Sequence, residues 1–193
     1  MIDRTGVDDV YNGGATKSFS FLLNMNDIFE AFVAAMVDEA FDQKQWSSTT
    51  SRKHRSVIRR LDTDRAYSSI NPDILLGDGS ELVPFDCKYK LYESKKLSTS
   101  DIYQTFLYAY SLGDPTDPRA GIIYPASKPG IKPQLGVSRV DGPAEAKISG
   151  IAIDLVHILD SRADQGKWNV ALDDLGSALE KVLETSRVAE LAI

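Results

Sequence analysis

Cysteine is almost absent from this sequence: Cys87 stands alone, which excludes an intramolecular disulfide and suits a reducing, cytoplasmic setting. Histidine is as scarce, with two residues, so a structural zinc site has too few ligands. No apolar run approaches a membrane span, and the N-terminus lacks the basic and apolar regions of a signal peptide, so no membrane association is expected. An excess of positive charge is missing too. The net charge of −6 counts against a protein that simply coats nucleic acid. There is no internal repeat or low-complexity tract. No G-x-x-x-x-G-K-[ST] loop is present, which excludes nucleotide hydrolysis by that route.

What remains is an ordinary globular composition, 42% apolar and 26% charged, in 193 residues that suffice for one domain with a sizeable core. Residues 1–18 are polar and contain Gly13-Gly14, and read as an arm; residues 19–193 read as the domain. Asn24 and Asn26 suit the start of a helix reaching about Phe41, with an apolar stripe through Ile28, Phe29, Phe32, Val33, Met36 and Ala40. Two strands about an Asp78-Gly79 turn follow, covering Asn71 to Leu76 and Glu81 to Tyr89. Ser98 opens a second helix that Gly113 stops. Strands are expected from Gly121 to Pro125, Leu135 to Val140 and Gly150 to Leu155, and a last helix from Val170 to Glu184. This order predicts an α/β fold, a mixed sheet covered by helices.

Carboxylates are plentiful, so magnesium or manganese are the natural metals. Positive charge, though globally outnumbered, is locally concentrated. The run from Ser51 to Arg60 holds Arg52, Lys53, Arg55, Arg59 and Arg60 without an acid, which suits phosphate contacts. If Asp78-Gly79 is a two-residue turn, Asp73 opposes Pro84, and residues 73, 82, 84, 86 and 88 share one face. Asp73, Asp86 and Lys88 then point the same way, with Asp73 a diagonal neighbour of Asp86 at about 7–8 Å. Two carboxylates can hold a divalent ion that activates water and neutralises a phosphate, and a lysine can orient that water or take its proton. Ile74, Leu76, Val83, Phe85 and Cys87 line the opposite face, and Leu75 and Leu82 add apolar side chains to the first, so these strands are expected to be covered on both sides.

Asn71-Pro72-Asp73 followed by Asp86-Cys87-Lys88 resembles the PD-(D/E)xK nuclease signature. The segments Phe21-Leu22-Leu23-Asn24-Met25-Asn26-Asp27-Ile28-Phe29-Glu30, Asp86-Cys87-Lys88-Tyr89-Lys90 and Asp101-Ile102-Tyr103-Gln104, with Tyr124-Pro125, resemble McrC, the nuclease subunit of modified-cytosine restriction systems. Asn24 departs from that pattern, standing where the family more often has an acid. The resemblance covers about residues 19 to 125. It implies a restriction-endonuclease-like fold, magnesium (manganese substituting) and DNA cleavage by Asp73, Asp86 and Lys88. Glu30 would be a third acid at the metal, and Gln104 would face the catalytic lysine or the metal shell. It also implies a McrB-like AAA+ GTPase partner for base reading, with the partner-engaging N-terminal part outside this chain. Tyr103, Tyr108 and Tyr110 read as packing residues. The rival expectation is an inactive DNA-binding or assembly subunit that kept the fold.

Overall fold

The computed structural model describes residues 24–42, 44–50 and 54–184. The polar arm at 1–18, the apolar residues 19–23, Arg52, Lys53 and the side chain of Arg55 lie outside that description. Asn24 caps the first helix, its side-chain oxygen accepting from Asn26 N–H at 3.1 Å. That helix, α1 (Met25–Ala40), buries Phe29, Val33, Met36, Val37 and Ala40, a spacing that keeps one face on the core. Ile28, expected in the same stripe, instead points outward.

The chain continues through β1 (Ser47–Thr50), β2 (His54–Arg59), β3 (Ala66–Ile70), β4 (Ile74–Gly77), β5 (Leu82–Cys87), α2 (Thr99–Leu112) and β6 (Arg119–Pro125). After them come β7 (Gly130–Ser138), β8 (Ala144–Ile153), α3 (Leu155–Ser161) and α4 (Gln165–Leu183). Six strands form one mixed sheet in the order β1-β4-β5-β6-β8-β7. Its centre is parallel, β5 with β6 and β6 with β8, and its outer pairs are antiparallel. The expected α/β architecture, a mixed sheet flanked by helices, is the one observed. β2 and β3 form a separate two-stranded ribbon.

Helices cover both faces of the sheet. Phe85, Cys87, Ile123 and Ile151 pack under α1 and α4 in the larger apolar cluster. Ile122, Tyr124 and Ile148 pack on the other face with Ile102 and Phe106 of α2. Trp168 Nε1 donates to Glu39 Oε1 at 2.9 Å and ties α4 to α1. Buried Arg119 donates to the carbonyls of Val182 and Leu183, satisfying acceptors that the end of α4 leaves open.

The β4–β5 hairpin differs from expectation in one respect that matters. Gly77 pairs with Leu82 and Leu75 with Pro84, so the loop holds four residues instead of two. Asp78 Oδ1 organises it, accepting from the backbone N–H groups of Ser80 and Glu81 at 2.9 Å each, and Gly79 takes φ 92° there. The slip is by two residues, so every side chain keeps its face. Because Ile74 pairs with Phe85, Asp73 stands opposite Asp86 in the extended register and not diagonal to it.

Candidate metal and DNA site

β4 begins one residue after Asp73, and the backbone of Asn71-Pro72 has already left the sheet there. The Cys87 N–H would have no strand partner on that side; the Asp73 carboxylate supplies one, Oδ2 accepting at 2.6 Å. Asp73 is therefore fixed by backbone at the edge of β5. Asp86, parallel neighbour of Ile122, faces the α2 side and is 1% exposed. Its Oδ2 lies 2.6 Å from Lys88 Nζ, an ion pair without the geometry of a directed hydrogen bond. Neither Asp86 oxygen has a hydrogen-bond partner among the described residues. A carboxylate buried this deeply with one ammonium beside it still has acceptor capacity to spare, which a further cation would use.

The electrostatics follow from that burial. Burial, against the pull of Lys88, pushes Asp86 up to about 6, with Asp73 adding to the rise. Asp73 is raised by burial and by Glu30, although the Cys87 N–H holds it down. Glu30, half-buried on α1, is raised by burial and by Asp27, partly offset by hydrogen bonding from Asp73. For Lys88, burial acts downward, but Asp86, Asp73 and Asp101 outweigh it and the net shift is upward. The ammonium is thus held charged among three acids. An open groove of about 490 Å³ leads to Asp73 along α1, lined by Asp27, Glu30 and Asp38 over the small side chains Ala31, Ala34 and Ala35.

Glu30, Asp73, Asp86 and Lys88 lie near enough to act on one another's charges. Among the described residues no three acid, histidine or cysteine side chains close tightly enough on one point to enclose an ion. Gln104 bonds to Tyr108 one turn along α2, beside the acidic centre. Its Nε2 donates to the Tyr108 hydroxyl at 2.7 Å, and that hydroxyl donates to the Asn71 carbonyl at 3.1 Å. Tyr108, read from sequence as packing, therefore links α2 to the chain that positions Asp73, and both Asp86 and Asp73 raise its pKa after burial. The spacing of Gln104 and Tyr108, one helical turn, is the signal that points to them as a pair. Tyr103 and Tyr110, also read as packing, are 68% and 64% exposed, although Tyr110 stacks on Phe106.

Of the predicted phosphate-binding residues, Arg55 and Arg59 fall in β2 and Arg60 directly after it, while Arg52 and Lys53 lie outside the described residues. Arg59 pairs with Asp64 at 2.7 Å and Arg60 with Asp62 at 2.5 Å, both in the open. The run has no acid within it, but the turn that closes the ribbon supplies two.

Residues 7–125 match the family model for the McrBC 5-methylcytosine restriction system component. The chain belongs to this family. No match is found among curated proteins. Among solved structures, a chain of the refined half-complex from the tetradecameric assembly of Thermococcus gammatolerans McrB AAA+ hexamers with bound McrC has the same fold, with a TM-score of 0.61. Identity is 16%, and the similarity covers 85% of this chain and 34% of that one, so this McrBC-family chain spans about a third of its structural neighbour's length. Among the described residues, no helix of the McrBC-family chain is long and apolar enough to cross a membrane.

Proposed function

We propose that the chain is a metal-dependent endodeoxyribonuclease domain of a McrBC-like restriction system, hydrolysing phosphodiester bonds in DNA. The observation that carries this reading is a buried Asp86 that faces Asp73 and whose oxygens make no directed hydrogen bond among the described residues, only an ion pair with Lys88. The donor set fits a hard cation: carboxylate oxygens only, and acids whose pKa values burial and mutual repulsion raise in its absence. Asp86 and Asp73 would hold magnesium, or manganese in its place; Glu30, which does not close on the same point as those two among the described residues, would be a third acid only if it draws in when the ion binds. A divalent ion there supplies charge neutralisation and polarisation of the phosphoryl oxygens.

The remaining steps belong to the chain. Lys88, kept protonated by Asp86, is a hydrogen-bond donor toward the phosphate and the attacking water. Gln104 and Tyr108 hold the Asn71 carbonyl and so keep Asp73 at the end of β5. The basic run Arg52, Lys53, Arg55, Arg59 and Arg60 offsets the repulsion between an acidic centre and a polyanion. We assign base reading and nucleotide hydrolysis to a McrB-like AAA+ GTPase partner; the structural neighbour's McrB hexamers support that choice. Purified protein with such a partner cuts DNA in magnesium or manganese and stops on chelation. Asp86→Ala and Lys88→Ala abolish cutting while circular dichroism shows an intact fold. Full cleavage by the Asp86→Ala protein would overturn the assignment.

A further inference from the structure

We infer that Lys90 is a phosphate-binding residue of this centre, contacting the DNA backbone beside the phosphodiester at Asp86 and Lys88; the inference rests on the nuclease reading above. Beyond β5 the chain makes two tight turns, Lys90 N–H donating to the Lys88 carbonyl at 2.8 Å and Tyr92 N–H to the Lys90 carbonyl at 3.0 Å. Alternate residues separate accordingly. Tyr89 turns to α1, its ring 5.7 Å from Phe29, whereas Lys90 and Tyr92 both reach Asp101 in the first turn of α2.

Asp101 is 4% exposed, and it is saturated with donors. Lys90 Nζ lies 3.0 and 2.7 Å from its two oxygens, and the Tyr92 hydroxyl donates to it as well. These partners, with Ser98, outweigh burial and hold the Asp101 carboxyl below the usual carboxylate range. The Lys90 side chain is 45% exposed. The fold thus buries the negative end of the pair and leaves the positive end facing solvent. Such a pair has little net charge but a fixed dipole that an arriving phosphate meets at its cationic end.

The place of the pair makes this useful. Lys90 follows Lys88 by two residues across a tight turn and is held by Asp101, which is near enough to act on both Asp86 and Lys88, so Lys90 stands beside the same centre. Asp101 takes two of the three Lys90 donors and Tyr92 lies beside the ammonium, so an arriving phosphate would meet Lys90 first as an exposed point charge. The competing explanation is a tie that fastens the exit of β5 to α2 and does nothing more.

The deciding experiment measures binding of one synthetic DNA duplex across a salt series, with calcium in place of magnesium. The variants are Lys90→Arg and the double variant Lys90→Gln with Asp101→Asn, which removes both charges together and strands neither. The double variant loses affinity for every sequence alike, and its log–log salt slope flattens by about 0.9, whereas Lys90→Arg keeps both. Parental affinity and slope in the double variant, with a lowered thermal midpoint, overturn the inference and leave a structural tie. No salt-dependent DNA binding by the parent protein overturns the nuclease reading and the inference together.

Discussion

Asp86 gives the metal-free protein an acid-side stability profile opposite to that of most salt-bridged proteins. Its folded pKa, about 6, is above the ordinary value of 3.8, so the native state binds the proton more tightly than the unfolded state. Stability is therefore fullest below about pH 3.8 as far as this group is concerned, and falls as pH rises through about 6. The shift corresponds to roughly 2–3 kcal/mol. Glu30 and Asp73 shift the same way, while lowered Asp101 acts in the opposite sense, losing stability as pH falls below the carboxylate range. Denaturant unfolding in chelator at pH 5 and pH 7.5 is expected to show the more acidic sample as the more stable, with the difference shrinking in Asp86→Asn. An equal or larger pH response in that variant would place the origin elsewhere.

At the scale of elements, the site depends on a close fit between β5 and β6. Gly121 lies beside Phe85 in the parallel register, and a Cβ built there would come within 2.4 Å of the Phe85 ring and 2.7 Å of Ile151. Phe85 is fully buried and precedes Asp86, so displacing its ring disturbs the strand on which Asp86 stands. Gly121→Ala is expected to cost about 1–3 kcal/mol in chemical denaturation and to lower cleavage with it. An unaffected midpoint would show that the ring has room to move. The sequence makes the central elements legible because their signals are local: the caps at Asn24 and Ser98, the stop at Gly113, and the apolar runs of β4, β5 and β6. It leaves β1, β2 and β3 hidden, because Ser47–Thr50 is short and polar, β2 falls within the basic run and the first four residues of β3 are exposed, so none of them shows a sustained apolar alternation. α3, seven residues with only Ile158 and Ser161 buried, offers too short a period. The face shared by Asp73, Asp86 and Lys88 is legible even with the turn length misread, since a slip of two preserves side-chain direction. The pairing of Gln104 with Tyr108 is legible only as a spacing of one helical turn, because side-chain rotamers decide whether the two meet.

On the scale of the whole molecule, charge is segregated. Residues 51–70 contain six basic and two acidic side chains, in a chain whose net charge is −6. The cationic segment includes the β2–β3 ribbon, outside the main sheet, while the acidic centre sits in it. Exposed ion pairs such as Arg59–Asp64 and Arg60–Asp62 add little stability, so changing both arginines to alanine leaves the unfolding midpoint nearly unaltered, by less than about 1 kcal/mol. On the proposed nuclease function, the same change is expected to weaken DNA binding across all sequences and to reduce the salt slope by about 0.9 for each phosphate that an arginine no longer neutralises. A double variant with parental binding would make the ribbon an ordinary surface.

Cys87 lends its backbone N–H to Asp73 while its thiol is buried beneath α1, with a pKa pushed well up, first by burial and then by the nearby acids. Because the chain has no second cysteine, this thiol is a native clock for the opening of the strand that carries the acids. A thiol reagent can react only when that strand parts from its cover, so the labelling rate counts openings without any added probe. Magnesium or manganese bound at Asp73 and Asp86 should slow the clock, whereas the same ions should leave it unchanged in Asp86→Asn.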